Sequence, residues 1–143
     1  DGTSVMGTVL ERSADFDLAF LKVASQDIPY ETRVKLRCAR IKEAAWTQLA
    51  ENDPVFILAS SRKPAGDYYE GYVQYREIYV KEFDCYMLCI KSNPIPGMSG
   101  GGIFDRQGNL VAMVNGGTAS GQVVGLSLPV MTGQLTNFTF GVQ

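Results

Sequence analysis

The chain has 143 residues, of which 45% are apolar and 20% charged, and its thirteen basic and fifteen acidic side chains leave a net charge of −2. A chain of that size suits one domain and buries roughly 70% of its unfolded surface, so it needs no metal or disulfide staple. The balanced charge offers no footprint for nucleic acid and no basic patch for an anionic membrane, and no apolar run approaches the ~20 residues that a spanning helix needs.

In chain order, short strand-like runs are punctuated by glycine and proline. Residues 5–10 are the first strand and residues 18–23 the second, entered through Asp15 and Asp17. Residues 34–40 alternate as a strand does. Residues 43–50, EAAWTQLA, are rich in helix formers and predict a short helix. A turn over 51–54 leads into residues 55–59, whose unbroken apolar run reads as a buried strand. Residues 63–67 are a loop. Residues 69–80 read as a strand bent at Gly71, and the tyrosines from Tyr68 to Tyr79 read as core and rim packing, with a platform for a substrate strand as the alternative. Residues 86–90 are a further strand. Residues 103–104 and 110–114 form a hairpin turned at Gly108. Residues 115–121 are a glycine-rich loop, 123–128 the last strand and 131–138 a short terminal helix. Many short strands with little helix argue an all-β barrel or sandwich, organised as a single domain over residues 1–143.

The chain opens at Asp1 rather than an initiator Met, which reads as a cut or processed start and leaves the compartment open. Cys85 and Cys89 lie four apart in a strand-like run, which sets their Cα atoms about 13 Å apart. A disulfide tolerates about 7 Å, so these and Cys38 are expected to be free thiols. That usage leans toward a reducing compartment or a non-secreted origin. No histidine is present and the cysteine spacing is that of a strand, so no metal site and no cofactor is expected.

The most informative stretch is Pro96-Gly-Met-Ser-Gly-Gly-Gly102, between two apolar runs. A serine between glycines at a tight turn is placed as a nucleophile is, and Gly97 can adopt backbone angles closed to other residues. The amides of Gly97 and Ser99 could then converge as an oxyanion hole. The base such a serine ordinarily uses is missing, because the chain contains no histidine.

Several segments, in order, resemble the trypsin/chymotrypsin-like serine peptidases, most closely the HtrA-type subgroup. Asp17-Leu-Ala-Phe-Leu-Lys-Val23 is similar to that subgroup's strand carrying the triad Asp, and Asp53-Pro-Val-Phe-Ile-Leu-Ala59 to its next signature strand. Asn93-Pro-Ile-Pro-Gly-Met-Ser-Gly-Gly-Gly102 with Gly108-Asn-Leu-Val-Ala-Met-Val114 resembles the serine block and the strand after it, and Gly125-Leu-Ser-Leu-Pro129 the closing strand. Two positions depart from the pattern: Gly102 replaces the usual Pro, and Met98 a frequent Asn or Asp.

The resemblance implies a two-barrel chymotrypsin-like fold with the active site between the barrels. It implies Ser99 as nucleophile, Asp17 as the carboxylate that orients the triad His, and Gly97 as an oxyanion donor. The His belongs upstream of Asp17, where sixteen residues leave too little room. The first barrel is therefore expected to be incomplete at its N-terminal side, with the missing segment in the parent protein. The specificity pocket is expected from the residues around Asn93, from Val114 to Gly117, and from Val123 to Gly125. No acid sits at its base, so a small or apolar residue before the cut is expected, or an acidic one if Lys91 faces inward. With no PDZ-like segment after the last strand, a viral, phage or simple bacterial protease fits as well as a quality-control one. The partner implied is a peptide or protein substrate. The alternatives are a catalytically dead trypsin-like fold that binds peptides or proteins, and a structural β-barrel, for example in a viral particle.

Overall fold

The computed structural model describes residues 2–60 and 66–135, in two compact units, Asp1–Cys38 and Ala39–Gln143. The first unit holds β1 (Thr8–Ser13) and β2 (Leu18–Lys22), an antiparallel pair with Val9 opposite Leu21. A turn closed by the Asp17 amide on the Ala14 carbonyl joins them, at 3.3 Å. A single 3-10 turn (Ser25–Asp27) and the four-residue helix α1 (Tyr30–Arg33) come next. Among the described residues of this unit, only Leu18 is a buried hydrophobic residue.

The second unit is a closed antiparallel barrel. Its strands are β3 (Pro54–Ala59), β4 (Asp67–Val80), β5 (Cys85–Lys91), β6 (Gly102–Asp105), β7 (Leu110–Thr118) and β8 (Gln122–Ser127), joined in the order β3-β4-β5-β8-β7-β6. Closure removes the exposed strand edges of an open sheet. Val55 and Ile57 of β3, Val73 of β4, Leu88 and Ile90 of β5, and Ile103 of β6 are fully buried inside it. The helix α2 (Glu43–Gln48) covers one end with Ala45 and Trp46, and the Arg76 guanidinium lies over the Trp46 ring at 5.1 Å. The helix α3 (Leu128–Gly133) buries Leu128 and Met131, and packs on α2, β7 and β8.

The all-β expectation holds, and the closed barrel is what many short strands with frequent turns predict. Five local expectations are corrected. The first strand lies at Thr8–Ser13 instead of 5–10. Residues 34–40 form no strand; Val34 and Leu36 stay exposed, and only Arg40 makes an isolated bridge, to Asn109. Alternation without a partner edge does not make a strand. Residues 115–118 are strand, because β8 pairs across them through a bulge between Val114 and Gly116. The irregularities in β4 fall after Val73 and Tyr75 instead of at Gly71, which pairs regularly with Val55. The final helix starts at Leu128, earlier than expected, and residues 136–138 lie outside the described residues. All three cysteines are free, and the spacing of Cys85 and Cys89 along β5 keeps those two from pairing with each other.

Candidate active site

Ser99 lies on the connection between β5 and β6, which is built from two consecutive tight turns. In the first, the Met98 amide donates to the Ile95 carbonyl at 3.3 Å, with Pro96 and Gly97 between them and Gly97 at φ 93°. Proline before a positive-φ glycine is the type II turn pattern. In the second, the Gly101 amide donates to the Met98 carbonyl at 2.9 Å, with Gly100 at φ 84°. Ser99 thus stands at the corner of a turn, and its side chain is exposed. Met98 points the other way, into the core at 3% exposure, and its Sδ accepts the Ile95 amide at 3.1 Å.

The connection is held against β7. The Gly100 amide donates to the Val114 carbonyl and the Val114 amide to the Gly101 carbonyl, both at 2.8 Å. The Ser99 hydroxyl donates to the Asn115 carbonyl at 3.3 Å. Asn115 is the bulged residue of β7, and its side-chain Oδ1 accepts the Leu126 amide of β8 at 3.1 Å. That bond anchors the bulge and turns the Asn115 carbonyl toward Ser99. Among the described residues, the amides of Met98, Gly100 and Gly101 have backbone acceptors, whereas those of Gly97 and Ser99 have none.

Two clefts meet at this turn, with Gly97 and Ser99 in the wall of both. The smaller, about 310 Å³, runs between the segment from Pro94 to Met98 and the strand residues Val114, Gly117 and Val123. No charged side chain lines it. A Cβ on Gly117 would stand 2.5 Å from the Pro94 Cβ, so the two walls already touch there. The larger, about 780 Å³, is walled by Leu58, Ala59, Gly66, Asp67 and Tyr68.

Of the predicted pocket residues, Val114 and Gly117 line the smaller cleft. Asn93 is exposed and lines neither. Gly125 faces the barrel interior, where a Cβ would meet the Ile103 Cδ1 at 2.6 Å and the Met113 carbonyl oxygen at 2.9 Å. The Lys91 ammonium donates to the Ser120 carbonyl at 2.6 Å and lies outside the lining of the smaller cleft. Asp17, in the first unit, is exposed at the turn into β2 with φ 48°, a left-handed conformation that aspartate tolerates better than most residues. The larger cleft escapes a reading of the sequence, because the apolar run over residues 55–59 suggests burial throughout. Val55, Ile57 and Ala59 do face the core, but Leu58 is 49% exposed. The period-2 geometry of a strand sends alternate residues outward whatever their hydropathy.

Residues 1–113 match the family described as the trypsin-like peptidase domain. No curated protein sequence matches. Among solved structures, the HtrA-type protease AlgW with a decapeptide superposes with a TM-score of 0.72 at 13% identity, over 90% of this chain and 38% of AlgW. The Rv3671c protein of M. tuberculosis, in an inactive form, gives 0.67 at 15% identity, over 91% of this chain and 63% of that protein. The MamO protease domain from Magnetospirillum magneticum gives 0.66 at 19%, over 93% of this chain and 69% of that domain. The chain thus spans well under half the length of AlgW. At these identities the likeness shows the fold, which is the trypsin-like one of HtrA-type proteases. The match over residues 1–113 takes in the Ser99 turn as well as Asp17, and on that ground the chain belongs to the trypsin-like peptidase domain family.

Proposed function

We propose that this chain is the serine-bearing part of a serine endopeptidase. The observation that carries the reading is the Ser99 turn itself. It presents an exposed hydroxyl where two clefts meet, beside two amides that have no acceptor among the described residues. In the proposed reaction the Ser99 Oγ attacks the scissile carbonyl carbon and its proton passes to an imidazole. The Gly97 and Ser99 amides hold the oxyanion, and the amine leaves with that proton as the acyl-enzyme forms. Water then enters by the reverse sequence and releases the acid. Asp17 is the proposed carboxylate that orients the imidazole. The imidazole itself is proposed to come from a further segment of the parent protein, since this chain has no histidine.

The smaller cleft is proposed to take the residue before the cut. Its uncharged lining and its closure between Pro94 and Gly117 favour a small, uncharged side chain. The engagement of Lys91 with Ser120 argues against an acidic one. Without histidine the chain alone is expected to turn over slowly, on the order of 10⁶-fold below a complete triad by analogy with subtilisin, the system in which such a loss was measured. The lack of histidine also supports the second reading, a trypsin-like fold kept for peptide binding.

A fluorophosphonate probe with intact-mass detection separates the two. With the parent protein, one adduct that disappears in Ser99→Ala supports the peptidase. No adduct on a parent protein that lacks an upstream histidine overturns it in favour of the binding fold.

A further inference from the structure

The outer face of the barrel beside Ser99 carries side chains that a solvent-facing sheet does not need. Phe56 and Leu58 are the outward positions of β3, and on the adjoining β4 Tyr68 stands directly opposite Leu58. On the other flank Phe104 of β6 stands opposite Phe56. A barrel strand normally alternates apolar inward with polar outward, yet here both faces are apolar. Leu58 is 49% and Tyr68 54% exposed. The Tyr68 ring is not loose: it stacks on Phe56 at 5.4 Å between centroids with an interplanar angle of 22°, and its hydroxyl donates to Glu70 at 3.4 Å. Leu58 and Tyr68, with half-buried Phe56 and Phe104 beside them, make a small apolar patch edged by Glu70 opposite Phe56, and an apolar patch next to a cleft is a candidate binding surface.

The patch ends at the serine. Leu58 pairs with Gly102, three residues beyond Ser99, and Leu58 and Tyr68 wall the larger cleft that shares Gly97 and Ser99 with the smaller one. We infer that this cleft is the leaving-side subsite of the proposed peptidase, and that Leu58 and Tyr68 select a large apolar or aromatic residue immediately after the scissile bond. The inference rests on the reading that the smaller cleft holds the residue before the cut. A peptide whose carbonyl carbon sits at Ser99 then meets the larger cleft with its leaving half, because both clefts share Gly97 and Ser99. Leu58 and Tyr68 give the cleft there an apolar wall, with Asp67 and Ser60 beside them. Substrates would therefore be read on both sides of the bond, as a small, uncharged residue and then a bulky one.

Binding tests this without needing turnover. The full chain carrying Ser99→Ala is titrated by NMR with blocked hexapeptides Ac-Ala-Ala-Val-Xaa-Ala-Ala-NH2, where Xaa is Phe, Leu, Ala or Glu. Phe and Leu peptides are expected to bind about tenfold more tightly than the Ala peptide, which is the gain from burying one such side chain in part. Tyr68→Ala and Leu58→Ala, added singly, should erase that difference. Both sites are on the outer face, so the barrel core is untouched. Equal affinity for all four peptides, with binding still lost when Val is replaced by Asp, would overturn the leaving-side assignment alone. Binding indifferent to both positions, with no shifts at residues 97–101, would overturn it together with the peptidase reading.

Discussion

The two units of this chain make opposite use of similar sequence material. Both contain short strands with apolar residues at alternate positions. In the second unit six such strands close on themselves, and Val55, Ile57, Val73, Leu88, Ile90 and Ile103 are all fully buried. In the first unit two strands pair and stop, leaving Val9 41% and Leu21 62% exposed. Strand propensity is thus equal to the task of forming a ladder in both, but closure is what turns a ladder into a core. A two-stranded sheet is marginal by itself in water. The proposed nucleophile stands on the unit that closes, where its turn can be held rigid. The proposed orienting carboxylate stands on the unit that does not.

The sharpest way to break that contrast is hydrogen exchange on the full chain. Amides in β5 and β7 should exchange orders of magnitude more slowly than those in β1 and β2. Equal protection in the two units would mean that the first has a source of stability beyond its own packing. Single substitutions come next. Ile103→Ala should lower stability by about 2–5 kcal/mol, because it empties a fully buried site. Val9→Ala should stay within about 0.5 kcal/mol, since it removes little buried surface. Trp46, the only tryptophan and part of the second unit, reports Ile103→Ala by fluorescence in a urea titration, and hydrogen exchange of the β1 and β2 amides reports Val9→Ala. A large loss from Val9→Ala would remove the asymmetry.

The smallest effect concerns the thiols. Burial pushes the Cys85 thiol up, with the Asp84 carboxylate adding to it; burial also raises Cys89, partly offset by Lys91. A thiol held above its ordinary value favours the folded state while it is neutral. That contribution is complete below about pH 8.5 and is lost as the pH rises through the folded-state values. The urea midpoint should therefore fall modestly as the pH rises above about 8.5. In the folded protein iodoacetamide should modify exposed Cys38 first and buried Cys89 last. Alkylation of Cys89 as fast as Cys38 would show that the barrel opens far more readily than its packing implies.

Much of the barrel is legible in the sequence because its signals are local. A β-rich run announces β5, helix formers announce α2, and Gly108 announces the β6–β7 hairpin, all within a few residues of where they form. The serine turn is legible for the same reason: Pro96-Gly97 and Ser99-Gly100 each spell a turn that needs a positive-φ glycine. The illegible parts depend on partners distant in the chain. Residues 34–40 alternate but find no edge to pair with, whereas the glycines after Asn115 look like a loop but are drawn into strand by β8. Gly125 is placed in the family's pocket by resemblance, yet a Cβ there would run into the Ile103 side chain of β6.

The sequence by itself determined that the chain is β-rich, that Ser99 sits in a glycine turn and that no histidine accompanies it. Those are matters of composition and of backbone angles within four residues. Only the tertiary structure decided that β3 turns Leu58 outward beside Tyr68, that the Asn115 bulge meets the Ser99 hydroxyl, and that two clefts of unequal size share that serine. Which face of a strand is buried, and what stands across from it, is set by register and closure over tens of residues, and no local pattern carries that information.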